Sequence, residues 1–223
     1  MKDNIREYIL SIGGDLCGFA NIDSFYDAPE GFSPKDVWKE CKSVISIAVS
    51  LPKGLFQISP RLVYAHYNQL SCSIVDEISF KTAKYIEHTY NCKAIPMPCD
   101  SPYEYWREYS LEGRGLLSMK HIAVKAGLGS IGKNSLFACK EYGNMVTLGC
   151  VLIDLELKSD NIRRNICIDG CSRCVDSCPV SAISNDFVNQ KRCRNNTYGK
   201  TARGFDTVDC NICRTVCPLN KVN

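Results

Sequence analysis

Apolar residues at Ile5, Tyr8, Ile9 and Ile12 recur with the spacing of one helical face, predicting a helix over 3–12 that ends at Gly13-Gly14. Residues 15–22 read as a strand. Ser33-Pro34-Lys35-Asp36 has an N-cap followed by proline at the first helical position, predicting a short helix to about residue 42. Val44-Ile45-Ser46-Ile47-Ala48-Val49 is β-branched and apolar on both faces, as in a buried strand. The longest helical pattern runs over 60–90, with Ile74, Ile78, Ala83, Tyr85 and Ile86 as its apolar stripe. A short strand is expected over 92–95, then an irregular loop around Pro96, Pro98 and Pro102. A helix over 116–125, a glycine turn at 127–132, an extended piece at 136–138 and a strand over 146–155 complete the pattern. This alternation predicts an α/β layered domain over 1–159, followed by a small cysteine-rich domain over 160–223.

At 223 residues the chain has room for one full domain and one small one. Its net charge of +3 is too small to point to nucleic acid. The longest apolar run, near 44–51, is far short of a bilayer span. The start, Met1-Lys2-Asp3-Asn4-Ile5-Arg6-Glu7, has no apolar core followed by a cleavage site. The expectation is a cytoplasmic protein that uses no membrane and keeps its thiols reduced.

The cysteines change the picture most. Two sets end in the same dipeptide: Cys167, Cys171, Cys174 and Cys178-Pro179, then Cys193, Cys210, Cys213 and Cys217-Pro218. Eight thiolates so arranged fit two [4Fe-4S] clusters, and in two-cluster ferredoxins the cysteine before proline ligates the other cluster. Applied here, Cys167, Cys171, Cys174 and Cys217 form the first ligand set, and Cys178, Cys193, Cys210 and Cys213 the second. The gap between Cys167 and Cys171 is one residue longer than in the usual ferredoxin run, and Gly170 can absorb it with a positive φ. Alternatively, Cys167 is not a ligand and the site has three cysteines. Zinc accepts four cysteines too, but does not account for a Cys-Pro at the end of both sets. Cysteines 17, 41, 72, 92, 99, 139 and 150 lie in apolar segments and read mainly as core thiols.

Gly127-Leu128-Gly129-Ser130-Ile131-Gly132 spells the dinucleotide fingerprint, but it follows a helix and precedes an extended stretch, the reverse of what that fingerprint requires. With Lys133 it also imitates a phosphate loop, yet Asn134 stands where a magnesium-binding hydroxyl belongs. Two readings remain. One is a tight helix-to-strand turn. The other is a surface that lets a large flat ligand approach the backbone, with Lys133 and Asn134 donating hydrogen bonds to its rim.

These residues carry a family resemblance. The stretch 126–134, then Glu141-Tyr142-Gly143, Leu148-Gly149 and 152–157, together with Asp15-Leu16-Cys17-Gly18-Phe19-Ala20 and the order of the eight cysteines, resembles the epoxyqueuosine reductases. The resemblance covers nearly the whole chain. It implies a nitroreductase-like α/β (α+β) domain followed by a small two-cluster ferredoxin-like domain, with base-off cobalamin between them. Electrons would pass through the clusters to cobalt, and Gly127, Gly129, Ile131, Gly132 and Asn134 would contact the corrin. The family enzyme removes the epoxide oxygen of a modified tRNA base. Two departures set this chain apart. The position of the family's aspartate proton donor falls on Gly113 and Arg114, beside Glu112, and the family's C-terminal helical extension has no counterpart. Epoxyqueuosine is therefore not the expected substrate. The Asp-x-His-x-x-Gly signature of other base-off cobalamin proteins is also absent.

Other proton-donor candidates are His66, His121 and Tyr109; His88, the third histidine, reads as a surface ring. Tyr103, Glu104, Tyr105, Trp106, Glu108, Tyr109 and Glu112 crowd a loop-to-helix region that reads either as a lid over a substrate pocket or as a packed surface. Arg163, Arg164, Lys191, Arg192, Arg194, Lys200 and Arg203 flank the cysteines. They offer a docking patch for an acidic flavodoxin- or ferredoxin-type donor, or simply balance anionic clusters. No aromatic-interleaved basic run supports tRNA binding.

Three functions follow as expectations. The first is an oxidoreductase feeding electrons through two [4Fe-4S] clusters to a corrinoid, with a small molecule as its substrate. The second is an electron carrier or reductive activator of a partner corrinoid protein, with no substrate of its own. The third is a reductase whose front domain binds flavin.

Overall fold

The computed structural model describes residues 1–100, 103–163, 165–184 and 187–221. Pro102 and Arg164, named above, lie outside them. In chain order the elements are α1 (Lys2–Ser11), β1 (Leu16–Asn21), α2 (Pro34–Val37), β2 (Ser43–Ser50), α3 (Arg61–Tyr90), β3 (Ala94–Met97), β4 (Tyr105–Arg107), β5 (Glu112–Arg114), α4 (Met119–Lys125), β6 (Ser130–Ile131), β7 (Phe137–Ala138), β8 (Val146–Ile153), α5 (Arg173–Asp176), α6 (Gln190–Thr197), β9 (Tyr198–Lys200), β10 (Asp206–Val208) and α7 (Ile212–Thr215).

A four-stranded sheet, ordered β1-β2-β8-β3, forms the middle layer. Every pairing in it is antiparallel, with Ile45 opposite Val151 and Phe19 opposite Ile45. The backbone thus follows the α+β form of the expected mixed fold. Side chains alternate across the pleat. Ile45, Ile47 and Val49 pack with Ile5 and Ile9 of α1 and Val75, Ile78 and Ile86 of α3. Val44, Cys150 and Leu152 face the other way, onto Ile122 and Ala126 at α4. Leu148 and Ala48 continue that face over Leu128 and Phe137. Burying each such Ile, Leu or Phe contributes about 1.5–3 kcal/mol. At Gly149 an added Cβ would lie 2.8 Å from Ser79 Oγ, so the absent side chain lets α3 press on the sheet.

Several boundaries differ from the sequence reading. Pro96 lies inside β3 rather than beginning a loop; β3 is an edge strand, where a missing N–H is tolerated. The helix after Ser33 is a single turn, capped as expected by Ser33 and Asp36. The aromatic region 103–114 is not a loop leading into a helix but a hairpin, β4 paired with β5. Its alternating bulky residues suit a strand pair better than a helical face.

None of the strands after residue 160 joins the central sheet. Two cysteine loops there repeat one hydrogen-bond ladder. In the first, Val175 and Asp176 N–H donate to the Ser172 carbonyl, Ser177 to Arg173 and Cys178 to Val175. In the second, Arg214 and Thr215 donate to Asn211, Val216 to Ile212 and Cys217 to Arg214. Among the described residues no helix is long and apolar enough to cross a membrane.

Candidate functional site

Cys167, Cys171, Cys174 and Cys217 line one cavity, brought together from loops far apart in sequence. The cavity's other wall is Gly132, Lys133 and Asn134, at the turn between β6 and β7. Gly170 carries the positive φ, 71°, that the longer Cys167–Cys171 gap calls for. Burial raises the Cys174 thiol first, and the nearby Cys167 and Cys171 raise it further. Burial likewise raises Cys217, with Cys174, Cys167 and Cys171 adding to it. Thiols that disfavour one another's ionisation accept a cationic group that relieves the repulsion. Tetrahedral zinc would draw four sulfurs to within about 3.8 Å of each other. Among the described residues no three His, Cys, Asp or Glu side chains converge tightly enough to hold a single ion.

In the second set, burial pushes Cys213 up to about 12, opposed by Arg214 and reinforced by Cys193 and Cys210. Asn211 Nδ2 and Arg214 Nη1, flanking Cys213 in sequence, are buried donors with no acceptor among the described residues. Such orphaned donors suit an anionic group with sulfur acceptors. Cys178 takes an N–H···S hydrogen bond from Ala182 at 3.2 Å and is not part of the first set's cavity wall.

The glycine turn packs against protein. A Cβ at Gly129 would lie 2.0 Å from the Ala138 carbonyl, and one at Gly127, where φ is 75°, would lie 2.6 Å from the Asn161 carbonyl. Lys133 Nζ donates to the Cys171 carbonyl at 2.8 Å, and Asn134 Nδ2 to the Cys213 carbonyl at 3.1 Å. The two donors expected at a ligand's rim are thus engaged with the two cysteine loops. Asn134 is buried, while Ile131 and Gly132 are half-buried. Of the five positions assigned to the corrin, Gly132 and Asn134 reach the cysteine cavity. The glycines at 127 and 129 are accounted for by the helix-to-strand turn.

No protein-family model matches the chain. It is 27% identical over 252 residues to an epoxyqueuosine reductase of Bacillus subtilis, across 99% of this chain and 64% of that protein. A Staphylococcus aureus epoxyqueuosine reductase is 26% identical across 99% of this chain and 65% of its own length. The structure of the Streptococcus thermophilus epoxyqueuosine reductase superposes with a TM-score of 0.72, 26% identity, and coverage of 100% of this chain and 67% of that one. The chain is similar to the epoxyqueuosine reductases over nearly its whole length. It spans about two thirds of the length of those it matches. A catabolic reductive dehalogenase shares the mixed α/β fold, with a TM-score of 0.74 at 15% identity over 98% of this chain and 32% of that one.

None of the four proton-donor candidates lines the cysteine cavity. Glu112 pairs with Arg107 at 3.3 Å on the β4–β5 hairpin. Tyr109, at the hairpin's tip, is 85% exposed with Lys191 Nζ 4.3 Å from its ring centre. His121 is exposed on α4, its Nδ1 2.7 Å from Ser118 Oγ; burial, then Lys120 and Lys125, lower its pKa. His66 is exposed on α3, with its ring edge against Tyr67.

The hairpin is pinned to the second cysteine set. The Arg194 guanidinium lies 5.2 Å from the Tyr103 ring, 5.3 Å from Trp106 and 5.8 Å from Tyr198, and donates to Tyr103 Oη at 3.2 Å. This packing, next to Cys193, matches the packed-surface reading rather than a free lid. Of the flanking cations, Arg163 pairs with Glu141 and Lys200 with Asp206, while Arg192 and Arg203 remain exposed without an ion pair among the described residues.

Sequence reasoning missed Lys120. Its ammonium is held by the Ser135 carbonyl at 2.6 Å and hydroxyl at 3.2 Å, with burial lowering its pKa. Its neighbour Ser135 has φ 60°, a left-handed conformation that a serine adopts only when its surroundings hold it. No motif marks this pair. It also missed the Asn144–Asn220 contact, which no motif marks.

Proposed function

We propose that this chain is an iron–sulfur oxidoreductase that carries two [4Fe-4S] clusters on its C-terminal domain and passes electrons to a corrinoid at its α/β domain. The arrangement is a nitroreductase-like layer followed by a ferredoxin-like module, divided near residue 160. The observation that carries the reading is the gathering of Cys217 with Cys167, Cys171 and Cys174 in one cavity, the exchange expected of a two-cluster module. Bound in these sites, the clusters and the corrinoid would supply one-electron transfer and cobalt-centred reduction.

The chain's own residues hold, orient and shield. Cys167, Cys171, Cys174 and Cys217 would anchor one cluster, and Cys178, Cys193, Cys210 and Cys213 the other. Asn134 and Lys133 tie both cysteine loops to the α/β layer, which fixes the distance between the two parts. Gly132 and Asn134 are the positions that would bring a corrinoid edge nearest the first set. Arg192 and Arg203 present positive charge to an acidic flavodoxin- or ferredoxin-type donor. A solved epoxyqueuosine reductase is described with an epoxyqueuosine-modified stem loop of tRNA-Tyr. In this chain Arg114 and Gly113 stand where the resemblance calls for an acid, so a small molecule or a corrinoid protein is the proposed substrate.

The disposition of the proton donors favours a second reading, that of an electron carrier for a partner corrinoid protein. Glu112 is engaged by Arg107, and neither histidine reaches the cysteine cavity. One experiment divides the readings. Anaerobically reconstituted protein should hold about eight irons and eight sulfides. Added cobalamin should then show the visible shift of a corrin losing its lower base. Full iron without that shift leaves the carrier; full iron with bound flavin leaves the flavin reductase; iron far below eight removes all the cluster readings.

A further inference from the structure

Lys133 and Asn134 are neighbours in sequence, yet each holds the carbonyl of a different cysteine loop, Cys171 and Cys213. They differ in charge. Lys133 lines the cavity of the first cysteine set and forms no ion pair among the described residues. Arg173 lines the same cavity from the first cysteine loop itself but is exposed, where solvent and salt screen it. Asp169 lies on the outer side of that loop, in an open cleft. Lys133 is half-buried and approaches from the α/β side, where a charge acts through less water. Reduction of a cluster adds one electron, supplied by the donor, with no bond made or broken. A fixed ammonium favours the more negative product.

We propose that Lys133 is a positioning residue that raises the reduction potential of the cluster held by Cys167, Cys171, Cys174 and Cys217, leaving the other cluster nearly unaffected. Single electrons are thereby drawn toward the α/β layer. This rests on the cluster reading above and adds a residue that sets the direction of flow. Lys133→Gln keeps a donor for the Cys171 carbonyl and removes the charge; Lys133→Arg keeps the charge.

The test is a redox titration of the full-length, reconstituted protein with titanium(III) citrate, followed by electron paramagnetic resonance. The expected result is wild-type iron in Lys133→Gln, one of two couples shifted to lower potential, and near-wild-type behaviour in Lys133→Arg. Unmoved couples in fully loaded Lys133→Gln would overturn the proposal, as would an equal shift in Lys133→Arg. Lys133→Met is the second neutral variant. Iron lost from both neutral variants but kept in Lys133→Arg would make the side chain structural and also overturn it. Wild-type protein that never reaches about eight irons would fail the cluster reading itself, a distinguishable result.

Discussion

Asn144 and Asn220 hold each other reciprocally: the Asn144 backbone N–H donates to Asn220 Oδ1, and Asn220 Nδ2 donates to Asn144 Oδ1, both at 2.9 Å. Asn220 Nδ2 also reaches the Arg214 carbonyl at 2.5 Å. One side chain thus fastens the end of the second cysteine loop to the turn before β8. Asn220→Ala leaves the buried Asn144 amide unpaired. It should destabilise the protein by about 1–3 kcal/mol, read as a lower urea midpoint with an unchanged slope.

Gly143 makes the same contact from the other side. Its φ is 58°, and a Cβ there would lie 2.1 Å from Asn220 Oδ1. Gly143→Ala and Gly129→Ala should each cost about 1–3 kcal/mol or more. Gly54→Ala, with nothing within 4 Å, should change stability by less than about 0.5 kcal/mol. Thermal melts of the three variants side by side check the contrast.

The ligand exchange predicts a pattern of non-additivity. Cys174→Ala and Cys217→Ala should each remove about half the iron, and together no more, because in the proposed pairing both would serve one cluster. Cys174→Ala combined with Cys178→Ala should remove nearly all of it. Iron and sulfide analysis of anaerobic protein decides, and an additive loss in the first pair would refute the pairing.

Removing Arg194 should loosen the β4–β5 hairpin. Each cation–π contact contributes about 0.5–1 kcal/mol at a partly exposed site. Arg194→Ala should therefore redden Trp106 emission and speed proteolysis within 103–114, measured against Trp106→Phe to separate the Trp38 signal.

Lys120 gives a pH dependence of defined sign. Burial lowers its folded pKa below the ordinary 10.5. Between that lowered value and 10.5 the unfolded chain holds the proton more than the folded one, so stability from this group rises with pH. Lys120→Met should lack that component. In urea titrations between about pH 8 and 10.5 the stability of the wild type relative to the variant should increase with pH.

The sheet and the long helix were legible because burial writes a period into the chain: Ile45, Ile47 and Val49 on one face, Ile78 and Ile86 facing them. The gathering of Cys167, Cys171, Cys174 and Cys217 was legible because the two sets, each closed by a Cys-Pro, carry their spacing in the sequence. Gly170 even announced its positive φ. The antiparallel pairing of β2 with β8 was not, since nearly a hundred residues separate the partners and neither strand encodes the other. Nor was the role of Lys133 and Asn134. A donor held by a backbone carbonyl leaves no mark on the residue that supplies the carbonyl, so a ligand rim and a cysteine loop look alike from the sequence.

The twin ladders at 172–178 and 211–217 each end on the cysteine that precedes a proline. With the proposed pairing, neither half can complete its cube alone. Cys217 is the last of the eight to leave the ribosome, so filling of the first site must await it. Maturation would then run in an order set by synthesis, the second site completed at Cys213 and the first only once Cys217 has emerged.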